Sequence, residues 1–200
     1  MSTAGFQIAV VIAAYLLGSI NSAILISRAM QLPDPRQEGS GNPGATNVLR
    51  GGNKTAATVT LLGDLLKGFV PVFLTGAFIQ NTWLVSVVGL AALLGHVYPV
   101  YYRFRGGKGV ATTLGVLLAM NWILGVLWAV TWLVVAMLFR YSSLAALAAT
   151  AVTLCFVLRF WSADTWMTGT LAIITVLIFW RHASNIRDLF LRRETKIGQK

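Results

Sequence analysis

Residues Gly39 to Arg50 read GSGNPGATNVLR, and this polar stretch separates two long apolar runs. Its three glycines and its proline oppose a continuous membrane helix, so the stretch is predicted to be a loop. Five of its side chains can bind an anion: Ser40, Asn42, Thr46, Asn47 and Arg50. A flexible connector is the alternative, but such linkers are usually plain mixtures of glycine and serine. The stretch is therefore interpreted as a binding loop for an oxyanion such as phosphate.

The composition is typical of a membrane protein. Of 200 residues, 56% are hydrophobic and 11% are charged, which is more apolar surface than a soluble core of this size buries. The net charge of +10 could indicate nucleic acid binding, but the basic residues stand in short clusters between apolar runs. That distribution favours membrane topology, and no nucleic acid partner is expected. With Cys155 as the single cysteine, neither a disulfide nor a multi-cysteine metal site is available. No metal or cofactor is expected.

The apolar runs predict an all-α, polytopic integral membrane protein with seven transmembrane helices, forming a single domain over residues 1–200. The predicted spans are Phe6–Met30, Ala56–Phe78, Trp83–Tyr102, two halves of Val110–Phe139, Ser143–Leu158 and Trp166–Trp180. As one helix, the 30 residues of Val110–Phe139 would rise about 45 Å, well beyond a hydrocarbon layer of about 30 Å. We therefore expect this run to break at Asn121 and Trp122, at the outer surface.

Basic residues orient these spans with the N-terminus outside and the C-terminus in the cytoplasm. If Val110–Phe139 crossed once, Arg140 and the basic tail would lie outside, which the positive-inside rule opposes. With the break, the two glycine-rich segments and the tail share the cytoplasmic face. The tail begins RHASNIRDLFLRR at Arg181, and its mixture of apolar and basic residues predicts a short interfacial helix.

Asp64 and Lys67 stand one helical turn apart within the second predicted span. Buried ions in lipid are costly, so the two side chains are expected to pair with each other or to face a polar interior. A proton relay in a transporter is the alternative function that this pair would support. Transporters usually show broken helices at mid-membrane depth in repeated halves, whereas the strongest polar signals here lie at one surface. Static ion pairing is therefore favoured.

A second glycine-rich segment, RGGKGVAT, runs from Arg105 to Thr112. Gly106, Gly107 and Lys108 stand at the start of a predicted helix, where backbone N–H groups, the positive helix end and an ammonium suit phosphate. The segment is not a Walker A loop, because Tyr102 stands where that motif requires glycine. Taken by itself, it would be better interpreted as a positively charged anchor with a tight turn. The first loop on the same face favours a second anion site.

Five further polar residues lie near the predicted cytoplasmic ends of the spans. His182 and Asn185 are three residues apart, so they share one face of a helix and are candidate polar contacts to a ligand. Ser142 and Ser143 either cap their helix or face the site; capping is favoured, and Ser143 is kept as a candidate phosphate-binding residue. His96 is expected to be hydrogen-bonded within the bundle.

Several catalytic arrangements are absent from the sequence. It contains no G-x-S-x-G, C-x-x-C or H-E-x-x-H motif. Neither histidine is followed, after four intervening residues, by aspartate: Tyr101 and Arg187 stand at those positions. A hydrolase triad and a histidine–aspartate base are both unsupported, so a reaction here needs an activated substrate or a base that the substrate brings.

Taken together, GSGNPGATN with Arg50, GHVYPVYY leading into RFRGGKGVAT, and RHASNI resemble the bacterial acyl-phosphate:glycerol-3-phosphate acyltransferases. The resemblance covers nearly the whole chain. It implies a seven-helix enzyme of the bacterial inner membrane that uses acyl phosphate as donor and glycerol 3-phosphate as acceptor on the cytoplasmic side. The products would be lysophosphatidic acid and inorganic phosphate. The other expected partners are the lipid bilayer and, functionally, the enzyme that produces acyl phosphate.

The resemblance also implies roles for individual residues. A phosphate would be held by Ser40, Gly41, Asn42, Thr46 and Asn47, with Arg50 supplying charge. Lys108 would contact the phosphate or the developing oxyanion, and His182 and Asn185 would help to place glycerol 3-phosphate. Which loop receives which phosphate stays open, as do two alternatives to the enzyme: a phosphate-ester transporter and a structural membrane subunit.

Overall fold

The computed structural model describes residues 3–199, and over this range the chain forms α-helices and no β-strand. The helices are α1 Thr3–Gly18, α2 Ser22–Ala29, α3 Ala45–Arg50, α4 Lys54–Ile79, α5 Thr82–Val97, α6 Val110–Met120, α7 Trp122–Phe139, α8 Ser142–Phe160, α9 Thr165–Arg181 and α10 Ala183–Phe190, with a 3₁₀ turn at Val100–Tyr102. The all-α prediction is confirmed. The predicted domain limits, residues 1 and 200, lie outside the described residues.

The first predicted helix is broken, so its prediction as one continuous helix is wrong. α1 and α2 meet at an angle of 46°. The Asn21 side chain starts α2 by accepting a hydrogen bond from Ile24 N at 3.1 Å. The Ile20 carbonyl at the break accepts a bond of 2.6 Å from Lys67 Nζ. A lysine on another helix therefore stabilises the break.

The predicted break in Val110–Phe139 is confirmed, and Asn121 forms it. Its backbone N–H donates to Leu117 O at 2.8 Å at the end of α6, while its side-chain oxygen accepts from Ile123 N at 3.0 Å at the start of α7. α6 has 11 residues and rises only about 16 Å, roughly half of the hydrocarbon layer. By length alone, α6 is therefore too short to cross that layer.

By length and composition, four helical elements of the described chain can cross a membrane: α4, α5 with its 3₁₀ turn, α7 and α8. Two bent pairs, α1 with α2 and α9 with α10, raise this number to six if each pair is one span. The tail helix that the sequence predicts is present as α10, and Phe190 at its end is 86% exposed. An apolar side chain at such a position suits the surface of a bilayer.

Buried polar contacts fix the helices around the site. The Asp64–Lys67 ion pair is confirmed, with 2.8 Å between Nζ and Oδ1 and both side chains buried. The Thr112 hydroxyl donates to the Asp64 carbonyl at 2.9 Å and joins α6 to α4. The Tyr15 hydroxyl donates to the Tyr98 carbonyl at 2.8 Å and joins α1 to the end of α5. These contacts place the segment between α5 and α6 beside α4.

Candidate active site

A cavity of about 690 Å³ opens where the two glycine-rich segments and the tail meet. Its polar lining consists mainly of residues from these three segments and the start of α8: Ser40, Asn42, Thr46, Asn47, Arg50, Lys108, Ser142, Ser143, His182, Asn185 and Glu194. The structure therefore brings together most of the site residues predicted from sequence. Gly41, Gly106 and Gly107 are not among the residues that line the cavity.

The first segment is only partly a loop, because its second half, Ala45–Arg50, forms the short helix α3. Asn47, on α3, is buried and holds the loop in shape. Its side-chain oxygen accepts from Ser40 N at 3.0 Å, and its amide nitrogen donates to Pro35 O at 2.7 Å and Glu38 O at 2.9 Å. Both amide hydrogens are thus used within the protein, so Asn47 has no donor left for a phosphate. In this arrangement its side chain anchors the loop.

The second segment packs tightly against the end of α5. The N–H groups of Gly106 and Gly107 donate to the carbonyls of Val97 and His96, each at 3.2 Å. A side chain at position 107 would collide with the His96 imidazole, so the close approach requires glycine there. Both N–H groups are therefore bonded within the protein, and neither is free for a phosphate in this arrangement. The two glycines position the next residue, Lys108, at the cavity.

His96 is buried, as expected, but its predicted hydrogen bond is not formed through Nδ1. That atom lies 3.7 Å from Asp64 Oδ1, beyond hydrogen-bond distance, and has no hydrogen-bond partner within the described chain. His96 lines the cavity, and its backbone carbonyl holds Gly107.

Lys108 contacts the tail. Its ammonium donates to the side-chain oxygen of Asn185, and the Asn185 amide nitrogen donates to both carboxylate oxygens of Glu194, at 2.9 and 3.0 Å. Burial lowers the pKa of Lys108, and the Glu194 charge opposes that shift. Sequence reasoning missed Glu194. The available signal was an acidic residue among the basic residues of the tail, RRETK.

The two serines at the start of α8 face the site, so the capping interpretation is wrong. Ser143 Oγ donates to Glu194 Oε1 at 2.7 Å, and Ser142 Oγ lies 3.2 Å from Thr46 Oγ1. No side chain caps the start of α8. Thr46 is thereby held at the edge of the cavity.

His182 is buried at the junction of α9 and α10, and its protonation is fixed by its surroundings. Its Nδ1 lies 2.8 Å from the Ile178 carbonyl, which can only accept, so Nδ1 carries the proton and Nε2 is left as an acceptor. Burial lowers the pKa of His182 to about 4, and the nearby charges of Lys108 and Arg181 act in the same direction. The imidazole is therefore neutral at physiological pH.

Arg50 lies on α3 and reaches the tail, where its Nη2 donates to Thr195 O at 3.0 Å. Its Nε is buried and has no hydrogen-bond partner among the described residues. An unpaired N–H of a guanidinium at a cavity wall is suited to an anion. This observation supports the charge role predicted for Arg50.

The opposite wall of the same cavity is apolar. It is formed by Leu61 of α4, Leu114 of α6, and Trp128, Trp132 and Leu133 of α7. A ligand with an anionic end and a hydrocarbon tail matches a cavity divided in this way. The arrangement therefore favours an acylated, phosphorylated molecule over a purely polar one.

Residues 8–192 match the family described as glycerol-3-phosphate acyltransferase. A protein of this name from Thioalkalivibrio sulfidiphilus is 51% identical over 193 residues, covering 96% of this chain and 94% of the relative. One from Francisella tularensis is 47% identical and covers 96% and 93%. Among solved structures, PlsY, an integral membrane glycerol 3-phosphate acyltransferase, is similar in its glycerol 3-phosphate form, with a TM-score of 0.89, 38% identity and 96% of each chain covered. The PlsY lysophosphatidic acid form gives a TM-score of 0.87, 37% identity, and 96% and 95% coverage. The chain accordingly belongs to the glycerol-3-phosphate acyltransferase family of integral membrane proteins.

Proposed function

We propose that this protein transfers an acyl group from acyl phosphate to the sn-1 hydroxyl of glycerol 3-phosphate. The observation that carries the proposal is the divided cavity, in which Lys108 and Arg50 lie at the polar end and two tryptophans line the apolar wall. Acyl phosphate and 1-acylglycerol 3-phosphate both have one anionic end and one hydrocarbon chain. The similar PlsY structures are glycerol 3-phosphate and lysophosphatidic acid forms. Family membership favours this enzyme over the transporter and the structural subunit.

The residues around the polar end receive the following roles. Lys108 and Arg50 neutralise the phosphates, and the Lys108 ammonium stabilises the oxyanion that develops on the acyl carbonyl. Ser40, Asn42 and Thr46 supply neutral contacts from the first segment. Asn185 and Ser143 donate to Glu194, and Asn185 positions the Lys108 ammonium. Asn47, Gly41, Gly106 and Gly107 shape the two segments. The apolar wall holds the acyl chain.

Transfer requires no covalent intermediate with the protein. The glycerol hydroxyl oxygen attacks the acyl carbonyl carbon, and the bond from that carbon to the phosphate oxygen breaks. The acyl group then belongs to glycerol 3-phosphate, and inorganic phosphate leaves with the electron pair. Because the acyl phosphate is an activated donor, positioning and electrostatic stabilisation supply most of the acceleration.

The hydroxyl proton goes to a substrate phosphate rather than to His182. A phosphate monoester has a second pKa of about 6, so its dianion is a stronger base than an imidazole whose pKa burial lowers to about 4. The Nε2 atom of His182 can still accept a hydrogen bond from a glycerol hydroxyl. We therefore assign His182 to placing the acceptor.

His182→Ala is expected to raise KM for glycerol 3-phosphate about fivefold, the value of one hydrogen bond, while kcat falls less. The acid limb of kcat/KM should remain, because it reports formation of the phosphate dianion; His182 is already neutral above about pH 5. Steady-state kinetics between pH 5 and 9 measure both effects. Loss of the acid limb together with a fall in kcat would identify His182 as the base.

We propose seven spans in the bacterial inner membrane, with the cavity open to the cytoplasm and residues 1–200 forming one domain. The seven are the four long elements, the bent pair α1–α2, α9 and the short helix α6, while α10 lies at the cytoplasmic surface. A reporter after the tail should be cytoplasmic and one before α1 should be outside. Reporters found on the same side would contradict this topology.

Acyl transfer by the purified protein in lipid mesophase tests the donor. Labelled glycerol 3-phosphate is supplied with palmitoyl phosphate or, in parallel, with palmitoyl-CoA. Labelled lysophosphatidic acid is expected with palmitoyl phosphate. Equal or faster product formation from palmitoyl-CoA would contradict the proposed donor, while leaving the acceptor in place.

A further inference from the structure

After α10 the chain turns back toward Arg50 and Arg140, and Glu194 lines the cavity. The N–H groups of Arg193 and Glu194 donate to the Asp188 carbonyl at 2.7 and 3.2 Å, which reverses the chain direction. Beyond them, Ile197 N donates to Arg140 O at 2.6 Å, and the Arg140 guanidinium donates to Ile197 O at 3.0 Å. Arg50 holds the carbonyl between these points, that of Thr195. Glu194 is thus fixed at the cavity by the backbone on both sides of it.

The Glu194 carboxylate determines how the Asn185 amide is oriented. It accepts two bonds from the Asn185 nitrogen and one from the Ser143 hydroxyl. With its nitrogen held there, Asn185 presents its oxygen to the Lys108 ammonium. The reverse orientation would place the amide oxygen against a carboxylate and the NH₂ group against an ammonium, so Glu194 selects the orientation that Lys108 needs.

Charge around Lys108 is otherwise unfavourable. Arg50 and Arg181 face it from α3 and α9, and His182 is neutral. The acidic groups that act on it are Glu194 and, more weakly, Asp188 on α10, whose side chain is 35% exposed beside Arg187. Burial and the two arginines favour loss of the Lys108 proton, and the Glu194 charge opposes them.

We propose that Glu194 is a positioning residue of the active site: it orients Asn185 toward Lys108 and supplies a counter-charge close to the half-buried ammonium. The inference rests on the proposed function only in taking the Lys108 ammonium as a contact of substrate phosphate. It assigns the tail after α10 to the active site.

Glu194→Gln tests this role, with Asp188→Asn as the matched control. Asp188→Asn also removes one negative charge, from α10, but it breaks no side-chain bond to Asn185 or Ser143. In Glu194→Gln, kcat/KM should fall about tenfold near pH 8, as expected for lost hydrogen bonds to a charged group. On the basic side, its kcat/KM should begin to fall at a lower pH than in the unmodified protein. Asp188→Asn should stay within about twofold of the unmodified protein, as surface charges do. Glu194→Asp keeps the negative charge, so its kcat/KM should fall at the same basic pH as in the unmodified protein.

Calorimetric titration with glycerol 3-phosphate from pH 6 to 10 provides a readout that needs no acyl donor. Binding by the Glu194→Gln protein should weaken at lower pH than binding by the unmodified protein. If palmitoyl phosphate is not a donor but this shift is seen, the donor assignment fails and the role of Glu194 stands. Three results would overturn the role: the same pH dependence of binding as in the unmodified protein, an equal shift in Asp188→Asn, or tighter binding at every pH from 6 to 10. Tighter binding would show that Glu194 competes with the phosphate for its site.

Discussion

Lys108→Ala is expected to lower kcat for acyl transfer by about a hundredfold or more. The ammonium is held at the polar end of the cavity by Asn185. In the proposed mechanism it stabilises the charge that develops on the acyl carbonyl oxygen. Loss of a donor at such a position costs roughly 3 kcal/mol of transition-state stabilisation. Initial rates with saturating palmitoyl phosphate and glycerol 3-phosphate measure kcat directly.

Arg105→Ala is the matched control for Lys108→Ala. It removes a positive charge from the same segment, but Arg105 is exposed and lies outside the cavity lining. Its kcat should change by less than about twofold. If Lys108→Ala lowers kcat by less than about threefold, Lys108 has no part in stabilising the transition state.

Lys67→Ala is expected to destabilise the fold by about 3–5 kcal/mol, the effect of leaving a buried charge unpaired. It removes the partner of Asp64 and at the same time the donor to the Ile20 carbonyl. Both losses occur at buried positions, where lipid supplies no replacement partner. The midpoint of unfolding, followed by circular dichroism in detergent, reports the change.

Two variants separate the ion pair from a general effect of losing lysine. Lys54→Ala removes an exposed lysine from the start of the same helix, and its unfolding midpoint should be nearly unchanged. The double variant Asp64→Leu with Lys67→Met should be more stable than Lys67→Ala, because no charge is left unpaired. Equal stability of Lys67→Ala and the unmodified protein would show that the pair contributes little.

The helix breaks show how far the sequence predicts the fold. The break at Asn121 was predictable because a single helix over Val110–Phe139 exceeds the bilayer and an asparagine stands near its middle. The break before Asn21 was not. Its polar residues also suit helix packing, and the group that stabilises the free Ile20 carbonyl belongs to α4, far along the chain. Local pattern carries no information on such a partner.

The same difference between local pattern and tertiary contact explains which residues of the site could be predicted. Its charged members, Arg50 and Lys108, could be predicted, because a cation in a glycine-rich cytoplasmic segment has a recognisable pattern. The glycine N–H groups were assigned to phosphate because their true acceptors, carbonyls at the end of α5, appear only on folding. Glu194 was missed because an acidic residue in a basic tail has many possible partners, and its contacts to Asn185 and Ser143 are tertiary.

The walls of the cavity come from both ends of the chain: Ser40 precedes α4, whereas Asn185 and Glu194 follow α9. During synthesis, a ribosome that is still translating α9 has therefore inserted most of the helices but not yet supplied one side of the anion-binding end. A nascent or prematurely terminated chain has the apolar wall without the tail contacts that hold Lys108. We therefore expect the proposed acyl transfer to require the tail as well as the membrane helices.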